Sequence, residues 1–135
     1  MSTPAEMMDW VFRNEATITA ITSKRSWHSF RPKAPGYPNI CFMENGKPTR
    51  NRGMEEQVFT VNCRGQDPEK ALNLARKVED YFNGSSSTGI YGTVNSFDIS
   101  RSFVGSGAPL IAEPKGSVYN VPVPVTIMYP SSTVS

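Results

Sequence analysis

The residues suited to metal chemistry are few in this chain. His28 is the single histidine, and Cys41 and Cys63 are the only cysteines among 135 residues. A histidine-based metal site needs several imidazoles, and a structural zinc site needs cysteines at close C-x-x-C spacing. The composition therefore excludes a histidine cluster within one chain and argues against structural zinc, so we expect no metal and no cofactor.

Nucleophilic catalysis needs a base beside a thiol or hydroxyl. His28 near Cys41 or Cys63 would imitate such a pair, but no local sequence signature accompanies these residues. The simpler interpretation is a surface or half-buried histidine and two small buried hydrophobic side chains. We expect the protein not to be an enzyme.

Phosphate and carboxylate chemistry lack a recognisable motif too. Residues 84–89 have the glycine spacing of a phosphate loop, but Ile90 stands where that loop needs a lysine. Glu55, Glu56 and Asp98 are too scattered for a carboxylate pair. We interpret 84–89 as part of a linker.

The charge is small overall but uneven. The net charge is +2, whereas residues 23–52 sum to +6. Either this segment is a solvated surface, which we favour, or it belongs to a small nucleic-acid-binding α+β module that uses residues 24–52. A binding sheet would expose Phe59 and Phe97 for stacking, but core packing is the favoured role for both. The cations of the segment are Lys24, Arg25, Arg31, Lys33, Lys47, Arg50 and Arg52.

Two helical regions are predicted from the sequence. From Pro4, apolar residues recur at helical spacing through Phe12. Asp67 is a strong N-cap for a helix over 68–83, followed by Pro68 at its first position. The helix carries one apolar stripe and should lie across a sheet. That stripe consists of Ala71, Leu74, Ala75, Val78 and Phe82.

Strands are predicted at 40–44, 57–64, 94–104 and 119–129, because apolar and polar residues alternate there. In the third of these, Phe97, Ile99 and Phe103 share one face. Long loops are predicted at 45–56, 84–93 and 105–117, with a flexible C-terminal tail over 130–135. Asn45-Gly46 is the turn signal of the first loop, which is either a long loop or a flexible hairpin.

Pro122 and Pro124 lie at the same parity of the last strand. Successive N–H groups point to opposite edges, so the prolines remove two donors from one edge. That edge cannot carry a continuous ladder, while the other edge can. The gap either protects against unwanted strand addition or meets another subunit without forming a sheet.

The order of elements resembles the small tail-completion or tail-terminator proteins of long-tailed bacteriophages. The resemblance spans roughly residues 4–129. It is carried by YPNICF at 37–42, QVFTVNCRG at 57–65, the D-P-E-x-A-x-x-L-A helix from residue 67, and VTIMY at 125–129.

The resemblance implies a single α+β domain over 1–135, with a twisted, mostly antiparallel sheet, helices packed on one face and long loops. It also implies a ring of identical subunits, usually a hexamer, at the head-proximal end of the tail tube. Such a ring ends tube polymerisation, contacts the tail-tube protein and the head-side connector protein, and lets DNA pass without sequence-specific binding. We therefore expect a virion protein of the tail or neck, assembled in the host cytoplasm, with no membrane contact.

Ring subunits need two different complementary patches. Loops 45–56 and 105–117 are too long to be mere connections in a domain of this size, so we expect them to supply contacts. The candidate interface residues are Lys47, Arg50, Arg52, Leu110, Ile111, Pro122 and Pro124.

Overall fold

The computed structural model describes residues 3–29, 36–83, 92–105, 111–112 and 118–131. The α+β class predicted from the sequence is confirmed. The helices are α1 (Pro4–Asn14), α2 (Ala16–Thr22) and α3 (Pro68–Asn83). The strands are β1 (Ser26–His28), β2 (Asn39–Glu44), β3 (Thr49–Asn51), β4 (Met54–Gly65), β5 (Gly92–Val94), β6 (Phe97–Ile99), β7 (Arg101–Val104), β8 (Ile111–Ala112) and β9 (Tyr119–Pro130).

The main sheet is ordered β1-β2-β4-β9-β7. Strand β3 adds to β4 beyond the end of β2, and β8 adds to β9 beyond the end of β7. Only the β1–β2 pair is parallel among the described strands. At its centre, β4 and β9 pair over twelve residues, from Met54 opposite Pro130 to Gly65 opposite Tyr119.

All three helices lie on one face of this sheet. Alternate residues of β4 and β9, such as Phe59 and Val125, are fully buried beneath α3. Phe12 of α1 contacts Phe42 of β2 and Phe82 of α3, with ring centroids 5.3 and 6.0 Å apart. Because Phe59 is part of this core, its predicted packing role is confirmed.

The β5–β6 hairpin closes the same face at the other end of the core. Phe97 is fully buried against Tyr129, with ring centroids 5.1 Å apart, so its predicted packing role is confirmed as well.

Local capping explains where two helices begin. The Thr3 hydroxyl accepts a hydrogen bond from the Glu6 amide at 3.1 Å, and the Asp67 carboxylate accepts one from the Lys70 amide at 2.9 Å. Between β4 and α3 the chain turns tightly at Gly65, where a Cβ atom would lie 2.9 Å from the Ala71 nitrogen. A glycine is therefore required at this turn.

Of the two alternatives predicted for residues 45–56, a long loop or a hairpin, the structure shows a hairpin, but its turn does not lie at Asn45-Gly46. Its turn is Arg52-Gly53, with φ angles of 51° and 81°, as a two-residue type I′ turn requires. Asn45 lies between β2 and β3, where its amide donates to the Val58 carbonyl at 2.8 Å. The polar β3 is a strand because β4 offers it a partner, so its own residue preferences did not reveal it.

The continuous strand predicted over 94–104 is also corrected. Residues 95 and 96 have positive φ and form a turn between β5 and β6, so the 84–93 loop ends before β5. After Ser100 the chain joins the main sheet, and the alternation of buried and exposed residues shifts by one position. Ser102 is therefore buried, whereas Phe103 is exposed. The buried Ser102 hydroxyl donates to the Phe82 carbonyl at the end of α3.

Two further boundaries differ from the prediction. The 105–117 loop contains β8, which pairs with the start of β9. Pro130, predicted to begin the tail, belongs to β9. Residues 132–135 and 84–91 lie outside the described part of the chain.

Two leucines of α3 test the packing of this helix on the sheet. Leu74 is fully buried and Leu72 is 43% exposed. We expect Leu74→Ala to lower the free energy of unfolding by about 3 kcal/mol, and Leu72→Ala by less than about 0.5 kcal/mol. Urea unfolding of both variants measures the difference, and equal losses would contradict the assigned inward face.

Candidate interaction surfaces

Reactive side chains are not assembled into a site in the described residues. No group of three or more His, Cys, Asp or Glu side chains is placed to hold a metal ion there. Cys63 is fully buried, and burial, with a smaller effect of Glu79, raises the pKa of its thiol, which disfavours the nucleophilic thiolate. His28 stacks on Phe42 and hydrogen-bonds the Glu44 carboxylate.

A search for membrane-spanning segments found no described helix that is both long and apolar enough.

The tip of the β3–β4 hairpin, residues 46–53, carries the first three predicted interface residues. Lys47, Arg50 and Arg52 are all exposed, and the tip contains no carboxylate. Arg50 donates to the Glu55 carboxylate at 3.1 Å, whereas Arg52 makes no hydrogen bond or ion pair within the described residues. The hairpin tip is therefore a cationic projection, with Arg52 at its turn.

The base of the hairpin is anchored to β9. The Tyr129 hydroxyl donates to the Glu55 carboxylate at 3.4 Å, and the Ser131 amide donates to the Gly53 carbonyl at 2.7 Å. The buried Gln57 amide group donates to the Gly46 carbonyl at 3.2 Å. These bonds fix the position of the exposed tip relative to the sheet.

The basic segment as a whole does not form one patch. Arg25 donates to the carbonyls of Tyr37 and Pro38, at 2.8 and 3.0 Å, and so holds a turn of the chain. Arg31 and Lys33 lie outside the described residues. The exposed cations that the structure brings together are those of the hairpin tip.

The proline edge of β9 behaves as its sequence predicts. Pro122 and Pro124 lie between the residues that pair with β8 and those that pair with β7. The Pro124 carbonyl points to the β7 edge, where it accepts from the Gly105 amide at 2.9 Å. The opposite edge of β9 carries the continuous ladder with β4. Within the described chain the ladder on the proline edge is interrupted at these two residues.

The sheet face opposite the helices is a second surface. Half-buried Val58, Thr60, Asn62, Pro122 and Pro124 lie on it, and in the described chain no helix covers it. At its rim Met43 and Phe103 are 39% and 36% exposed, and the Arg101 guanidinium lies 5.4 Å from the Phe103 ring centroid. This open face is mainly uncharged and carries the two predicted prolines.

A third surface, the α1–β1 groove, was not found by sequence reasoning. It encloses about 500 Å³ between α1 and β1, and Asn95 of the β5–β6 turn also borders it. Trp10 is 40% exposed beside the carboxylates of Glu6 and Asp9. The groove is formed by residues far apart in sequence, and the only signal for it was a tryptophan outside the apolar stripe of α1.

Two predicted interface residues remain, and the structure describes one of them. Ile111 belongs to β8 and pairs with Asn120 of β9, while Leu110 lies outside the described residues. The seven predicted residues thus do not form one patch: three lie on the hairpin tip and two on the proline edge.

Comparisons with known proteins bear on the fold. The sequence matches no protein-family model and no curated protein. The structure is similar to a chain in the solved virion of a native gene transfer agent particle, with a TM-score of 0.63 and 11% sequence identity. The match covers 87% of each chain. The two chains therefore share a fold over nearly their whole lengths.

The surroundings of Tyr129 predict how the free energy of unfolding depends on pH. Burial, and then the neighbouring Glu55 carboxylate, raises the pKa of Tyr129 from 10.0 to about 12. The unfolded chain therefore ionises this phenol first, so the resulting stability is present below pH 10 and is lost as the pH rises toward 12. We expect the decline in unfolding free energy across this window to be shallower in Tyr129→Phe, as measured by urea titrations at each pH. An identical decline in both proteins would contradict the raised pKa of Tyr129.

Proposed function

We propose that this protein is a structural subunit of a phage-like virion, and specifically a tail-terminator or tail-completion protein. It forms a ring at the head-proximal end of the tail tube, ends tube polymerisation and joins the tail to the head-side connector protein. The observation that carries the proposal is the shared fold with a chain of a gene transfer agent virion over 87% of both chains.

The surfaces described above support a function based on docking. The structure offers a projecting cationic hairpin, an uncovered sheet face and a groove, and the described residues contain no metal cluster. A ring subunit uses two different patches, each of about 800 Å². Two such patches would occupy roughly a fifth of the 7412 Å² of accessible surface.

The proposal includes the oligomer and its partners. The ring is a homo-oligomer, most simply a hexamer, whose neighbours are the tail-tube protein and the head-side connector protein. DNA passes through its centre without base-specific contacts.

A nucleic-acid-binding module is the second candidate, and the observation that favours it is the hairpin tip. Three exposed cations there limit the number of phosphates that the tip can neutralise. The same hairpin carries Glu44, Glu55 and Glu56 near its base, so the net charge of residues 44–56 is zero. Docking against another protein is therefore the better supported function of the hairpin tip.

Tube capping tests the first proposal. The purified protein, added to the tail-tube protein of the same particle during polymerisation, should stop elongation at one end and leave rings visible there by electron microscopy. An equal concentration of unrelated protein should leave the tube lengths unchanged. Tubes that elongate without end-bound rings at every ratio of the two proteins would contradict the function.

Salt-dependent DNA binding separates the two candidates. With at most three phosphates neutralised, the slope of log affinity against log salt should not exceed about 2.7 in magnitude. Unrelated duplex sequences should bind equally, as fluorescence anisotropy would show. Submicromolar binding that falls more steeply with salt, is lost in Arg50→Ala/Arg52→Ala and persists in Arg76→Ala would favour the nucleic-acid module.

A further inference from the structure

The α1–β1 groove has the composition of a site for a cationic side chain. Trp10 and Trp27 both border it, and an indole face attracts a guanidinium more strongly than the other aromatic rings do. Glu6 and Asp9 lie on the same wall, and His28, bound to Glu44, lies at the β1 side. The aromatic and acidic groups converge on one concave surface.

One cation, Arg13, already lines the groove, and it is bound to other lining and strand residues. Arg13 donates to the Asp9 carboxylate at 3.1 Å and to the Ser26 carbonyl at 3.0 Å, which ties α1 to β1. Since Arg13 balances Asp9, the Glu6 carboxylate leaves the lining with a net negative charge. A positively charged side chain would match the groove.

The hairpin tip of a second copy offers such a side chain. Its two-residue turn joins β3 to β4 at the end of the sheet, where β9 also pairs with β4, and Arg52 is exposed at that turn. We infer that the hairpin tip of one subunit seats in the α1–β1 groove of its neighbour, with the Arg52 guanidinium against the groove indoles and near Glu6. This inference rests on the proposed ring function and specifies one of the ring's interfaces.

The fold separates the two surfaces within one subunit. Strand β1 pairs with residues 40–42 of β2, which lie opposite Asn62, Val61 and neighbouring residues of β4. From Val61 to Met54 at the tip, β4 advances seven residues, or roughly 23 Å. The hairpin is also anchored to β9, so it cannot fold back into the groove of its own subunit. A contact between these two different surfaces of neighbouring copies can therefore be heterologous, the type of interface that gives a ring when its rotation closes.

Disulfide trapping tests this contact in the full-length chain. Met54→Cys, next to the turn, combined with Asn14→Cys on the groove wall leaves Arg52, Glu6 and both indoles in place. On mild oxidation this pair should give a ladder of crosslinked oligomers up to the ring. Cys41 and Cys63 are buried and should not contribute. Met54→Cys combined with Leu72→Cys, on the exposed side of α3, is the matched control and should give no ladder. Rings that form without a ladder from the Met54 and Asn14 pair would overturn the inference.

Charge reversal provides a second, independent measurement. Arg52→Glu should weaken ring assembly about 30-fold, by loss of the cation–π contact and repulsion from Glu6. Arg76→Glu, an equal charge change at an exposed site of α3, should leave it unchanged. Adding Glu6→Lys to Arg52→Glu should restore assembly. Circular dichroism of each variant confirms folding.

The outcomes distinguish the inference from the function. If rings cap the tubes but Arg52→Glu and Trp10→Ala assemble normally, the interface is wrong and the function stands. If the cysteine of Met54→Cys crosslinks to the tail-tube protein instead of to the Asn14→Cys position of a neighbour, the tip has a different partner and the inference is wrong. If the wild-type protein forms no rings with or without tubes, both the inferred interface and the proposed function are wrong.

Discussion

The twelve-residue pairing of β4 with β9 is the constraint on which the rest of the structure depends. It joins two strands that are separated in sequence by α3 and four shorter strands, and it runs without interruption from Met54 to Gly65. Its inward residues form the floor of the core beneath the helices. Its outward residues form the open face. Its far end carries the hairpin tip, whose base is held through Glu55 and Tyr129. Two of the three candidate surfaces, the open face and the hairpin tip, therefore have their positions set by this one ladder.

Much of this arrangement could be predicted because it rests on one-sided patterns. The apolar stripe of α3 predicts the helix face that packs on the sheet, and the alternation of β4 and β9 predicts the sheet face that packs on the helix. Phe59 is buried, as that alternation predicts. The two prolines of β9 were informative for a different reason. A missing N–H cannot be supplied by tertiary context, so their effect on one edge of the strand follows directly from the sequence.

Other features depend on partners distant in sequence and could not be predicted. Strand β3 is polar and three residues long, and it exists because β4 extends past the end of β2 to pair with it. Phe103 was assigned to the wrong face, because the chain changes sheets at Ser100 and its parity shifts there. The α1–β1 groove combines residues near 10, 28 and 95, which no local pattern connects. Interfaces made by such juxtapositions are visible only in the folded chain.

We propose a protein that acts by docking, through three surfaces of its described residues: the cationic hairpin tip, the α1–β1 groove and the sheet face opposite the helices. The central claim of this proposal is best tested by an electron cryo-microscopy map of the intact particle that contains this protein. The account predicts a single closed ring of this fold where the tube meets the head, with copies side by side around the DNA channel. Finding the subunit isolated, elsewhere in the particle or missing from it would contradict the claim.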